Sequence, residues 1–220
     1  MKYVPAWIEA FGVVLGPVLG ALIAGGYISK MFKRDVLPLF QTYSDEKHDA
    51  HKLMRKATEN IYIVASIGDR LLEKYERKMR SYLKRGVKLK FLMHEKAKFF
   101  ELESYIHADT KPDEDSYVKD RTKALETLMG LKRNYPELVE IREFPLIFPA
   151  SYIGIDIEEN IITNEWPSHS MIQVMLYQYN VKTKDSPITY LSPKTNRKLF
   201  QRTAQCILEM WDIAAEIEAK

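Results

Sequence analysis

The chain opens on a long apolar block and then changes rhythm. From Ala10 to Ser29 twenty residues carry no charge, with Glu9 on one side and Lys30, Lys33 and Arg34 on the other. At 1.5 Å per residue such a helix reaches about 30 Å, the thickness of a bilayer's hydrocarbon core. The pattern predicts one spanning helix over residues 1–30, with Trp7 and Tyr27 near its ends and the trailing bases on the cytoplasmic side. A cleaved export signal fits less well, because Glu9 interrupts the leader and three bases follow where an exported protein would begin. Residues 31–56 are polar, have helical spacing and contain Pro38, and they read as a juxtamembrane helical linker.

From Ala57 onward the pattern is that of an α/β domain. "IYIVAS" (Ile61 to Ser66) is a short β-branched run stopped by Gly68, and so a buried strand. "DRLLEKYERKMRSYLKRG" puts Leu71, Leu72, Tyr75, Met79 and Leu83 on one helical face and ends at Gly86. "VKLKFLM" (Val87 to Met93) is a second strand, and strand, helix, strand within about 30 residues predicts a right-handed parallel crossover. Further helices are expected at Lys96 to His107 and Tyr117 to Asn134. Strands follow from Leu138, Ser151 and Met171, with a hairpin turning at Glu158 to Asn160, and a closing helix from Pro193 to Glu218. The chain has no internal repeat and no low-complexity tract.

Charge changes this picture more than composition does. The 220 residues carry a net charge of +3, which by itself selects no partner. Locally, eleven Lys/Arg face three Glu between Arg70 and Lys98. A single cysteine, Cys206, excludes an internal disulfide framework and fits a reducing compartment. Five of the nine glycines lie between Gly12 and Gly26, and Gly12, Gly16, Gly20 and Ala24 share one helical face. In lipid such a small-residue stripe lets helices pack closely, which predicts self-association into a homo-oligomer, a tetramer or larger. Around a symmetry axis Glu9 would then form an acidic mouth.

"ATENIYIVAS" and "LKRGVKLKFLMHE", with the order of elements from Ala57 to Glu218, resemble a single phospholipase-D-like domain. The resemblance implies an α/β sandwich with a mixed sheet over residues 57–220. It also implies chemistry by a His-x-Lys-x4-Asp set at the strand "FPASYIGID". Aligning Asp156 with the acid puts Pro149 at the histidine and Ser151 at the lysine, so no catalytic residue is expected there. "HEKAKFFE" offers His94, Lys96 and Glu101 at the same spacing, but at a strand end leading into a helix. That set defines an alternative reading, a membrane-bound phosphodiesterase or nuclease. His48 and His51 lack further ligands, so no metal is expected, and no cofactor is implied.

Ligands of such sheets dock beyond the carboxyl ends of the parallel strands, beside helix N-termini. The expected phosphate or nucleotide set is Ser66, Gly68 and Arg70 after the first strand, His94 and Lys96 after the second, and Lys194, Arg197, Lys198 and Arg202 from the last helix. Tyr62, Tyr75, Tyr82, Tyr177, Tyr179 and Tyr190 interleave with these bases as stacking candidates or, for most of them, as core.

The overall plan resembles membrane effectors of nucleotide-signalled bacterial antiphage systems, the Hailong-type effector channel among them. That resemblance implies an inner-membrane, single-pass protein with its N-terminus outside and a cytoplasmic sensor domain. It further implies a channel gated by a nucleotide or DNA oligomer and a signal-producing nucleotidyltransferase partner. A membrane-tethered sensor of cyclic oligoadenylate, as in some CRISPR-associated effectors, is a related expectation.

Overall fold

The run Asn60–Ala65 forms strand β2 at the centre of the sheet, because its residues are apolar on both faces and nearly all buried. In the computed structural model the described residues are 41–42, 50–96, 98, 114–148, 150–158, 165–177 and 186–217. A compact unit spans Phe40–Lys220. The predicted span with Glu9, Gly12, Gly16, Gly20 and Ala24, and most of the predicted helix from Lys96 to His107, lie outside the described residues. Among the described residues no helix is long and apolar enough to cross a membrane.

Strands β1 (Gln41–Thr42), β2, β3 (Lys88–His94), β4 (Val139–Phe144), β5 (Ala150–Ile155), β6 (Met171–Leu176), β7 (Pro187–Leu191) and β8 (Ala215–Glu216) form one mixed sheet. Its order is β1-β7-β6-β5-β2-β3-β4-β8. The pairs β2/β3 and β3/β4 are parallel, with Ile61 opposite Leu89 and Leu89 opposite Val139. The β2/β5, β5/β6 and β6/β7 pairs are antiparallel. The crossover expected from β2 to β3 is present, made by helix α2 (Asp69–Leu83).

Alternation along the strands divides the interior into two layers. Ile61, Ile63, Leu89, Phe91, Val139, Ile141, Ile153 and Ile155 face α1 (Ala50–Met54), α2 and α3 (Glu114–Asn134). Tyr62, Val64, Leu92, Tyr152, Ile172 and Val174 face α4 (Arg197–Ile213). The result is an α/β/α sandwich. Helix α4 lies across its face of the sheet, packing on β4, β6 and β7.

Three short elements depart from the sequence reading. Gln41–Thr42, expected within a juxtamembrane helix, pairs instead with β7 at Ile188 and Pro187. The closing helix is shorter than Pro193 to Glu218. It starts at Arg197, because residues 193–195 turn, with Ser192 Oγ accepting the Thr195 N–H at 3.3 Å. It stops at Ile213, where Ala214 turns extended and the chain adds β8 to the edge of β4. Pro187–Leu191, a short run that opens on a proline and so does not read as a strand, pairs with β6.

Gly68 opens α2 with φ 79°, and a Cβ there would overlap the Phe91 ring. Gly130, inside α3, has open space around it. Gly68→Ala is expected to cost about 2–4 kcal/mol, from the left-handed backbone and the overlap together. Gly130→Ala is expected to gain roughly 0.5–1 kcal/mol from helix propensity. Urea midpoints at unchanged m-value check both.

Candidate functional site

The resemblance directs attention first to the aligned strand, β5. Ser151, at the lysine position, hydrogen-bonds through Oγ to the Tyr177 hydroxyl. Pro149 lies outside the described residues. Asp156, at the acid position, is buried and takes a left-handed backbone, φ 49°. Its Oδ1 accepts the N–H groups of Glu59 and Asn60, both at 2.8 Å. Oδ2 accepts from the Thr58 amide at 2.9 Å, the Thr58 hydroxyl at 3.0 Å and His169 Nε2 at 2.7 Å. Burial raises the pKa of this carboxyl, but the backbone donors of Asn60, Thr58 and Glu59, with His169, outweigh it and hold it below the ordinary value. The acid does orient an imidazole, that of His169 in the approach to β6. Its lone pairs are otherwise spent pinning the chain that enters β2.

At the carboxyl ends of β2 and β3 the expected ligands separate. His94 is wholly buried and stacks on Phe148, with ring centroids 3.5 Å apart. Its Nε2 accepts the Phe148 N–H at 3.2 Å, so the ring proton sits on Nδ1, which has no partner among the described residues. Burial lowers its pKa to about 3, and the ring is neutral. Lys96 is exposed and pairs with Glu114 at 3.1 Å, while Glu101, the third member of that set, lies outside the described residues. The Ser66 carbonyl accepts the His94 N–H at 3.4 Å, and Gly68 caps α2.

Lys194, Arg197, Lys198 and Arg202 are exposed and belong to the other edge. Three successive antiparallel pairings make β7 run opposite to β2, so the carboxyl end of β7 and the start of α4 lie where β2 begins. The structure therefore does not bring them together with Ser66, Gly68, Arg70, His94 and Lys96.

Arg70 belongs to a different assembly, one the sequence reading counted but did not place. Around α2 the charges are segregated at helical period. Glu73, Glu76 and Arg80 lie on the side toward α3, where Glu73 meets Lys123 at 3.3 Å and Glu76 meets Arg80 at 2.7 Å. Arg70, Lys74, Arg77 and Lys78 lie on the outer side toward α1, and all are exposed. Helix α1 docks beside this row: His51 stacks on Tyr75 and Tyr82, at 6.4 and 6.2 Å, and Lys78 Nζ lies 3.2 Å from His51 Nε2. It adds Lys52, with Arg55 and Lys56 in the turn behind it, also exposed. Arg85 closes the row over the Tyr82 ring. None of these eight cations has an acidic partner among the described residues. The legible signal was the spacing of Glu73 and Glu76 against Arg70, Lys74, Arg77 and Lys78 on one helix.

No protein-family model and no curated protein matches the chain. Solved structures similar to it include TrmBL2, an archaeal chromatin protein described as showing a novel mode of DNA binding. That likeness has 11% identity over 96% of this chain and 68% of that one, at a TM-score of 0.47. Nuc, a phospholipase D family member from Salmonella typhimurium, is 12% identical over 83% of this chain and 100% of that one, at 0.48. A phosphatidylserine synthase from Haemophilus influenzae Rd KW20 is 10% identical over 82% and 39%, at 0.45.

Two predictions rest on the buried polar groups. In the unfolded chain His94 takes up a proton near pH 6.5, and in the folded chain only near pH 3. Its neutral burial therefore stabilises fully above pH 6.5, and the stabilisation is lost as pH falls toward 3, by at most about 1.4 kcal/mol per pH unit. Urea titrations between pH 7 and 4 should show this slope, and His94→Gln should flatten it. Asp156→Asn turns an amide NH2 toward N–H donors and should lower stability by about 2–3 kcal/mol, read by thermal or urea midpoint.

Proposed function

We propose that this chain is a membrane-attached receptor that binds a phosphate-bearing ligand, a nucleotide or oligonucleotide, without hydrolysing it. Its folded part is a catalytically degenerate phospholipase-D-like sandwich, and its N-terminal segment is the anchor and the place where subunits meet. The single observation that carries the binding is the basic face formed by α1 and α2, whose eight cations have no acidic partner among the described residues. Eight exposed cations held side by side repel one another. A polyanion relieves that repulsion and releases its own counterions on binding.

Three observations support the absence of hydrolysis. The aligned positions offer Ser151, engaged with Tyr177, and Asp156, engaged by five donors. His94, at the end of β3, is sealed under Phe148 and neutral. A nucleophile needs access to substrate as well as a lone pair, and this ring lacks access. Coupling of ligand binding to a pore is an extension of this reading, suggested by the small-residue stripe of the N-terminal segment and its flanking charges.

Fluorescence anisotropy with a labelled oligonucleotide, run beside a phosphodiester reporter assay, tests the proposal. The wild-type chain should bind at low salt and show no turnover. Lys74→Glu with Arg77→Glu should weaken binding by at least about tenfold at an unchanged melting temperature. Unaltered affinity in that double variant, or turnover by the purified wild-type chain, would overturn the reading.

A further inference from the structure

We infer that the α1–α2 face reads a continuous phosphate backbone and makes no contact with bases. The inference rests on the receptor reading above and narrows its ligand from nucleotides in general to a chain several nucleotides long.

The first observation is what the face lacks. Sequence-tolerant single-strand binders combine tracking charge with exposed aromatic platforms. Here the tyrosines of α2 that accompany the bases, Tyr75 and Tyr82, are buried in the core. His51 stacks on both, and Lys74 and Arg85 lie over their rings at 5.0 and 5.3 Å. Among the described residues of this face both tyrosine rings are buried, and the one half-buried ring, the His51 imidazole, is stacked on them.

The second observation is length. Arg70, Lys74, Arg77, Lys78 and Arg85 follow α2 for fifteen residues, or about 22 Å at 1.5 Å per residue, with a cation on nearly every turn. For a strand stacked as in a duplex, at 3.4 Å per nucleotide, that row is matched by about six or seven nucleotides. A mononucleotide would engage one or two of these cations and leave the rest unpaired.

The third observation separates a nucleic acid from a lipid surface. Helices that lie in a bilayer interface bury an apolar stripe in it. Of the large aliphatic residues of α1 and α2, Leu53, Met54, Leu72, Met79 and Leu83 are buried against the sheet, and Leu71 is partly buried on the same core. The large apolar residues exposed among the described residues are Val118, Leu146, Ile147, Leu199 and Ile213, none of them on α1 or α2. The face presents a row of charges and, among the described residues, no fully exposed large apolar side chain to insert.

The experiment compares, on the full-length detergent-solubilised chain, labelled oligothymidylates from two to about ten nucleotides with abasic oligomers of equal charge. Phosphatidylglycerol vesicles form a separate arm. Affinity should climb steeply up to about seven nucleotides and only slowly beyond, and abasic and thymidylate chains should agree within about threefold. For about six contacted phosphates, log affinity should fall with log salt at a slope near −4 for single strands. Lys52→Glu with Arg55→Glu should reduce binding of both oligomers by the same factor, and Lys194→Glu with Lys198→Glu, on the α4 face of the sheet, should change neither.

A tenfold loss on removing the bases would overturn the inference, as would a dinucleotide binding as tightly as the seven-mer. The receptor reading would survive either result. Vesicle binding abolished by the Lys52 and Arg55 reversals, with oligonucleotides unaffected by them, would overturn it in favour of a lipid surface. If no oligomer of any length binds at low salt, the receptor reading itself fails.

Discussion

One buried carboxylate holds the corner on which the rest of the domain is built. Asp156 ends β5, yet its oxygens collect the amides of Thr58, Glu59 and Asn60, which lead into β2. Its own N–H donates back to the Asn60 carbonyl, and its carbonyl accepts the Ser170 hydroxyl just before β6. Three strands are thereby registered from a single residue. A side chain that must reach three consecutive N–H groups leaves little choice of backbone, which accounts for the left-handed φ of a non-glycine residue. Because residues 55–59 connect α1 to β2, the same contact fixes where α1 rests, and with it Lys52, Arg55 and Lys56 of the basic surface.

On the opposite face a second polar group ties α4 to the sheet. Lys90 Nζ donates to the Tyr62 hydroxyl at 2.9 Å and to Glu158 at 3.0 Å, and lies 5.6 Å from the centre of the Trp211 ring. Tyr62 in turn donates to Glu158 at 2.6 Å, and burial, with the bond to Glu158, pushes its pKa upward. Arg142 sits over the other part of this arrangement, stacked on Trp211 at 4.6 Å and donating to its carbonyl at 2.8 Å. A lysine and an arginine thus stand in strands that otherwise read as core. Each keeps its cation against an aromatic ring, and their stems cover apolar surface.

The parallel crossover was legible because its signals are local: a β-branched run, a helical apolar stripe, a glycine stop and a second run. The segments β4, β5 and β6 were legible for the same reason. The edge strands β1 and β8 were not, since two residues carry no period and their pairing is decided by β7 and β4, far away in sequence. The site was only partly legible. The carboxyl ends of strands form one rim only if the strands run the same way, and the antiparallel run from β5 to β7 sends Lys194 and Arg197 to the opposite edge. His94 read as a ligand from its position at a strand end, but the stacked Phe148 comes from the loop after β4, a contact with no sequence signal. The basic face was written in the sequence as the separation of acids from bases around one helix. It becomes a surface only when His51 brings α1 alongside.

The sheet ends in two very short strands. β1 and β8 contribute two residues each, and over β8 the Lys132 ammonium grips Glu216 at 2.8 Å. Edges of this kind offer a neighbouring chain almost no free backbone ladder to extend. A second copy brought alongside would meet, at these margins, strands of two residues each.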